Sequence, residues 1–205
     1  IVFFFGGGWN SGSPQQFFPQ CKYLASRDIV AISAEYRVKS RHGVTPFECV
    51  TDGKSAIRWV RANADKLGVD PNCIVAGGGS AGGHVAACTG VINGLDEPDE
   101  DHSVSSKPNA MVLFNPVMVL PLDRSQNPEE HKKRVKERFQ NRNPQKVSPY
   151  HHVTSNIPPT IILHGTADKT VPIETAQMFV EAMEDAGNRC ELVAYEDKGH
   201  GFFNY

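Results

Sequence analysis

The sequence has no Cys-x-x-Cys pair, no internal repeat and no low-complexity tract, and no apolar run approaches the roughly 20 residues of a bilayer-spanning helix. Each absence removes a class of protein. A membrane-spanning helix, a zinc ribbon or dithiol redox centre, and a fibrous or repeat architecture all lose their sequence basis. A net charge of -2 with 21% charged residues leaves no basic footprint for nucleic acid or an anionic membrane. No histidine and carboxylate spacing suggests a catalytic metal, and no cofactor is expected. The five cysteines, Cys21, Cys49, Cys73, Cys88 and Cys190, are scattered. They are read as buried free thiols, Cys73 and Cys190 in predicted strands and Cys49 and Cys88 in predicted helices. Being odd in number, they leave at least one unpaired within the chain.

What remains is 205 residues, enough for one domain with a sizeable core. Ile1 to Phe5 is a continuous apolar run, as in a strand covered on both faces, and it ends in Gly6-Gly7-Gly8-Trp9. A helix is predicted from about Pro14 to Ser26 and a strand over Ile29 to Ala34. Thr45, Pro46 and Glu48 form a capping box for a long helix whose buried stripe includes Phe47, Val50, Ile57, Val60, Ala64 and Leu67. Asn72 to Ala76 reads as a strand, and His84 to Cys88 as the first turns of a buried helix. Asn93 to Pro108 is expected to be a solvated acidic loop, since it lacks the ligand alternation of a calcium loop. Strands over Ala110 to Phe114, Thr160 to Leu163 and Glu191 to Tyr195, and a helix from Ile173 to Gly187, complete the alternation. Only residues 117–159 interrupt it, with a charged, mostly helical insert in which Glu129 pairs with Lys133. Strand-helix alternation implies a doubly wound, mostly parallel α/β sheet with ligands at the carboxyl ends of the strands.

Chemistry gathers at those ends. Gly78-Gly79-Ser80-Ala81-Gly82 sits between a strand and a helix, the setting of a nucleophile elbow, although a glycine-rich turn with an incidental serine has the same pattern. Two later residues favour the elbow. His200, between two glycines after the last strand, suits a general base, and Asp168 after the preceding strand suits the carboxylate that orients it. N–H groups of Gly7, Gly8 and Ala81 are the expected oxyanion donors. Asp197 and Glu196 are rival acids, less well placed than Asp168. Trp9 and Asn115, each just after a strand, are candidate substrate contacts, though Trp9 equally suits closing the core. His84 reads as a packed residue of the elbow helix that could border the pocket, and His151 and His152 as insert packing.

In this order the segments FFFGGGW, SAEYRV, AIRWVRANADKLGVDPN, GGGSAGG, HGTADKTVP and GHGF resemble an α/β-hydrolase of the carboxylesterase kind, near the hormone-sensitive-lipase-like and acetyl-esterase branches. The resemblance spans nearly the whole chain and implies one catalytic domain over residues 1–205, with 117–159 as a cap-like insert. It also implies a serine esterase acting through an acyl group on Ser80, and the short insert over the site favours a small acyl group such as acetyl to butyryl. A prolyl-oligopeptidase-like peptidase and a binding protein on a hydrolase scaffold are the alternatives. Two departures stand out. Phe5 replaces the histidine that opens the family's His-Gly-Gly-Gly, so the hydrogen bonds that histidine makes to the loop are expected from elsewhere. The family's two amino-terminal strands and full last helix have no counterpart, so the chain reads as trimmed and its compartment is not legible. Ile29 to Ala34 is then expected at the sheet edge. It is apolar apart from Ser33 and has no lysine or proline, and it is the expected site of pairing between copies.

Overall fold

In the computed structural model, which describes residues 1–121 and 127–204, six strands form one sheet. They are β1 (Val2–Phe4), β2 (Ile32–Ala34), β3 (Val75–Gly79), β4 (Ala110–Phe114), β5 (Thr160–Gly165) and β6 (Cys190–Tyr195). Their order is β2-β1-β3-β4-β5-β6, and every neighbouring pair is parallel. The α-helices are α1 (Phe18–Ala25), α2 (Lys39–His42), α3 (Pro46–Ala62), α4 (Ala64–Leu67), α5 (Ala81–Val91), α6 (Pro128–Phe139) and α7 (Ile173–Asp185).

The period-two alternation of strand side chains divides the core. Register aligns Phe4, Gly78, Leu113 and Ile162 across four strands. On that face Phe4, Leu113 and Ile162 join Val50 and Ile57 of α3, Val85 of α5, and Phe179 and Met183 of α7 in the main hydrophobic cluster. Phe3 belongs to a second cluster with Phe17 and Phe203, beside Cys21 and Leu24 of α1. Its ring stacks on Phe17 at 4.7 Å. Helices therefore cover both faces. All eleven residues of α5 are buried, so this helix is the axis about which the layers pack. Among the described residues, no helix is long and apolar enough to cross a membrane.

The capping box forms as read from the sequence. Thr45 Oγ1 accepts from the Phe47 N–H, and the Glu48 carboxylate accepts from the Thr45 N–H at 2.9 Å. Other expectations are corrected. The helix that it starts ends at Ala62, and Asn63 separates it from α4. The elbow strand runs over Val75–Gly79, so the glycines continue the ladder instead of leaving it. Cys73 precedes that strand and is exposed, whereas Cys49, Cys88 and Cys190 are buried, and all five thiols are free. β2 does stand at the sheet edge, but it is three residues long instead of six. The cause lies just upstream, where the Ile29 N–H bonds back to Leu24 O at the end of α1 and leaves Ile29 and Val30 exposed.

The acidic loop is not simply solvated. Lys54 and Arg58, one turn apart on the buried side of α3, both pair with Asp96, and Arg58 also pairs with Glu100. Lys54 further donates to the carbonyls of Ile92 and Gly94. The insert is less helical than expected, with one α-helix and two 3-10 turns among its described residues, and its residues 122–126 lie outside the described residues. On α6, Glu129 pairs with Lys132 and Glu130 with Arg134, not Glu129 with Lys133.

Candidate active site

Gly78 and Gly82 allow the turn between β3 and α5, because a Cβ on Gly82 would stand 2.0 Å from Phe4 O and one on Gly78 2.5 Å from Gly82 O. Ser80 occupies the turn with φ 56° and ψ -120°, a strained conformation for a residue other than glycine. Its N–H donates to Phe114 O, fixing the turn to β4.

Three loops at the carboxyl ends of β3, β5 and β6 bring Ser80, Asp168 and His200 together. Ser80 Oγ–H donates to His200 Nε2 at 2.8 Å, and His200 Nδ1–H donates to Asp168 Oδ2 at 2.7 Å. The Asp168 side chain is fully buried, and its Oδ1 accepts the N–H groups of Thr170 and Val171. With Nδ1 carrying the proton, Nε2 is left as the acceptor that a serine hydroxyl needs. Asp197 and Glu196 are exposed, and the Asp197 N–H donates to Thr166 Oγ1. His164 also approaches Asp168, its Nε2 lying 3.4 Å from the same Oδ2 and 3.0 Å from Val171 O.

Asn115, expected as a substrate contact, is not among the residues lining the cavity. It is fully buried, with Oδ1 accepting from the Gly165 N–H and Nδ2 donating to His200 O at 2.6 Å. Its amide ties the Asp168 loop to the His200 loop, which also approach so closely that a Cβ on Gly165 would stand 2.1 Å from Lys198 O. Beyond His200, Phe203 anchors the chain by stacking on Phe17. The position of Asn115 after a strand was legible, but the use of its amide was not.

The loop Gly6–Trp9 faces Ser80 from the end of β1. The hydrogen bonds expected from elsewhere, given Phe5, come from Gln16, Tyr36 and His84. Gln16 Oε1 accepts from the Gly6 N–H, the Tyr36 hydroxyl donates to Phe5 O, and Trp9 Nε1–H donates to His84 Nδ1 at 3.1 Å. His84 is fully buried, and its Nε2–H donates to Val147 O in the insert. Burial lowers its pKa to about 4, so the ring is neutral and its tautomer is fixed by these two partners. His151 bonds Ser148 and His152 meets Gln145 O, both within the insert.

A cavity of about 330 Å³ opens beside Ser80. Gly8, Trp9 and Ala81 form one wall, and Val117, Leu120 and α6 residues including Arg134, Arg138 and Phe139 form the other. Gly7 is not among the lining residues; its carbonyl accepts from Asn10 and Ser11, and its φ of 130° shapes the turn that presents Gly8. Trp9 both lines the cavity and is buried. Among the described residues, no group of three or more histidine, cysteine or carboxylate side chains could hold a metal ion.

The BD-FAE family model matches residues 1–183. Esterase LipC of Mycobacterium tuberculosis (strain ATCC 25618 / H37Rv) is 31% identical over 98% of this chain and 52% of LipC. The chain thus spans about half the length of that relative. Among solved structures, Thermogutta terrifontis esterase 2 phosphonylated by sarin aligns with a TM-score of 0.92 at 57% identity, covering 100% of this chain and 75% of that one. Its butyrate-bound form aligns with a TM-score of 0.90 at 57% identity, covering 100% and 74%.

Proposed function

Because the chain belongs to the BD-FAE family of hormone-sensitive-lipase-like α/β-hydrolases, we propose that it is a serine carboxylesterase acting on small esters through Ser80, His200 and Asp168. The observation that carries the reading is the continuous relay of two hydrogen bonds, 2.8 Å from Ser80 to His200 and 2.7 Å from His200 to Asp168. Ser80 Oγ attacks the ester carbonyl carbon while its proton passes to His200 Nε2, and Asp168 stabilises the imidazolium. The oxyanion is met by the N–H groups of Ala81 and Gly8, whose residues share the cavity wall with Ser80. The carbon–alkoxide bond then breaks, His200 protonates the departing alcohol, and an acyl group remains on Ser80. A water deprotonated by His200 releases the acid and restores the serine.

A modest cavity and residues 117–159 acting as a cap over it favour a short acid, and the butyrate-bound esterase 2 is consistent with that size. A fluorophosphonate probe tests the mechanism. It is expected to label Ser80 stoichiometrically and abolish hydrolysis of p-nitrophenyl acetate and butyrate. Labelling elsewhere, or faster cleavage of aminoacyl-p-nitroanilides than of the esters, overturns the reading. Pairing of two copies along β2 is a separate proposal, supported by its outer place in the sheet. A light-scattering mass that stays monomeric at high concentration overturns it.

A further inference from the structure

Of the carboxylates and cations, arginine alone is represented among the described residues that line the cavity. Among its described lining residues are Arg134 and Arg138, and no aspartate or glutamate. The acids of α6, Glu129, Glu130 and Glu137, are absent from that lining. The two arginines stand four residues apart on one helix face, where like charges repel. Glu130 partly answers Arg134, but no carboxylate among the described residues is within ion-pair distance of Arg138. The Arg138 guanidinium carbon instead lies 5.6 Å from the centre of the Trp9 ring, next to the loop that faces Ser80. Although part of the side chain is exposed, burial and the charge of Arg134 lower the Arg138 pKa from the ordinary arginine value. An arginine beside the cavity with no carboxylate partner among the described residues is suited to a ligand carboxylate, which its planar fork can hold bidentately.

We propose that Arg138, assisted by Arg134, forms an anion subsite in the cleft, so that the preferred substrates are esters carrying a free carboxylate, such as half-esters of short dicarboxylic acids. The proposal rests on the esterase reading for its chemistry, but its binding part is measurable without turnover. Monoethyl glutarate and ethyl pentanoate have the same chain length and differ in the terminal carboxylate. Ethanol release is expected to give a kcat/KM ratio for that pair above about 10 in the wild type, reduced about tenfold or more by Arg138→Gln and less by Arg138→Lys. Raising ionic strength should lower the wild-type ratio. Calorimetry with glutarate and pentanoate supplies the second readout, glutarate binding the wild type about tenfold tighter and losing that margin in Arg138→Gln. Ester hydrolysis with a ratio at or below one, or a ratio that Arg138→Gln leaves unaltered, overturns the subsite and spares the esterase. Glutarate preference through Arg138 without hydrolysis of any ester upholds the subsite and overturns the esterase.

Discussion

The two walls of the cleft are built on opposite terms. On the elbow wall, side chains that face Ser80 are fixed by groups from distant parts of the chain. Asn115 clamps the two loops that carry Asp168 and His200, Gln16 and Tyr36 hold the glycine loop, and His84 ties Trp9 to Val147. On the cap wall, α6 is held by Phe139, buried against Phe47, by the half-buried Val135 packed on the main cluster, and by Arg142 just beyond the helix, which pairs with Glu48. The rest of α6 is largely exposed, and its ion pairs are mostly with itself. The geometry around Ser80 is over-determined, while the α6 wall of the cavity is held lightly. The two can therefore change independently.

The sharpest contrast is in rate. Ser80→Ala is expected to lower kcat by roughly five to six orders of magnitude, as removal of such a serine does elsewhere. Retention of more than about a percent of activity in a preparation free of contaminating hydrolases would break the comparison at its centre. Next comes the acid. Asp168→Asn favours the wrong imidazole tautomer and should cost about 10⁴ in kcat, whereas Asp197→Asn should stay near wild type; parallel assays giving the opposite ranking would move the acid to the β6 loop.

A smaller effect separates the walls through pH. His84 has a folded pKa of about 4, below the roughly 6.5 of an unfolded histidine, so its stabilising contribution is complete above pH 6.5 and is lost as pH falls from 6.5 to 4. That difference is on the order of 3 kcal/mol and comes from burial, which disfavours the charged ring. Thermal melts of the wild type and His84→Gln at pH 7, 6 and 5 should show a steeper loss in the wild type, and parallel curves would contradict the assignment. The smallest effect belongs to the cap. Glu130→Ala removes an exposed pair with Arg134 and should change stability by less than about 0.5 kcal/mol in urea unfolding. A larger loss would mean that α6 is bound to the molecule more tightly than its contacts indicate.

Much of this was legible in the sequence, for reasons that differ by element. Strand-helix alternation is a repeated pattern set by local periodicity, and it led to the parallel sheet. The capping box at Thr45 and the elbow at Ser80 are local devices whose residues lie within a few positions of one another. What escaped reading depends on partners far apart in the chain. The acidic loop was expected in solvent because it lacks the ligand alternation of a calcium loop, and only burial reveals that Lys54 and Arg58 on the apolar side of α3 face Asp96 and Glu100. Two cations one turn apart on a buried stripe were the available signal. Asn115 was read as a substrate contact because it follows a strand, and nothing local announces that its amide faces two backbones. Ile29 and Val30 have strand composition, but the last turn of α1 captures the Ile29 N–H first.

α5 has no outward face, since each of its eleven residues is buried. Most helices offer a solvent side on which neutral drift can accumulate, and such drift supplies the raw variation from which new preferences arise. Here that reservoir is missing directly behind Ser80. A substitution anywhere in α5 therefore meets packed neighbours, whereas much of α6 can change its side chains in solvent.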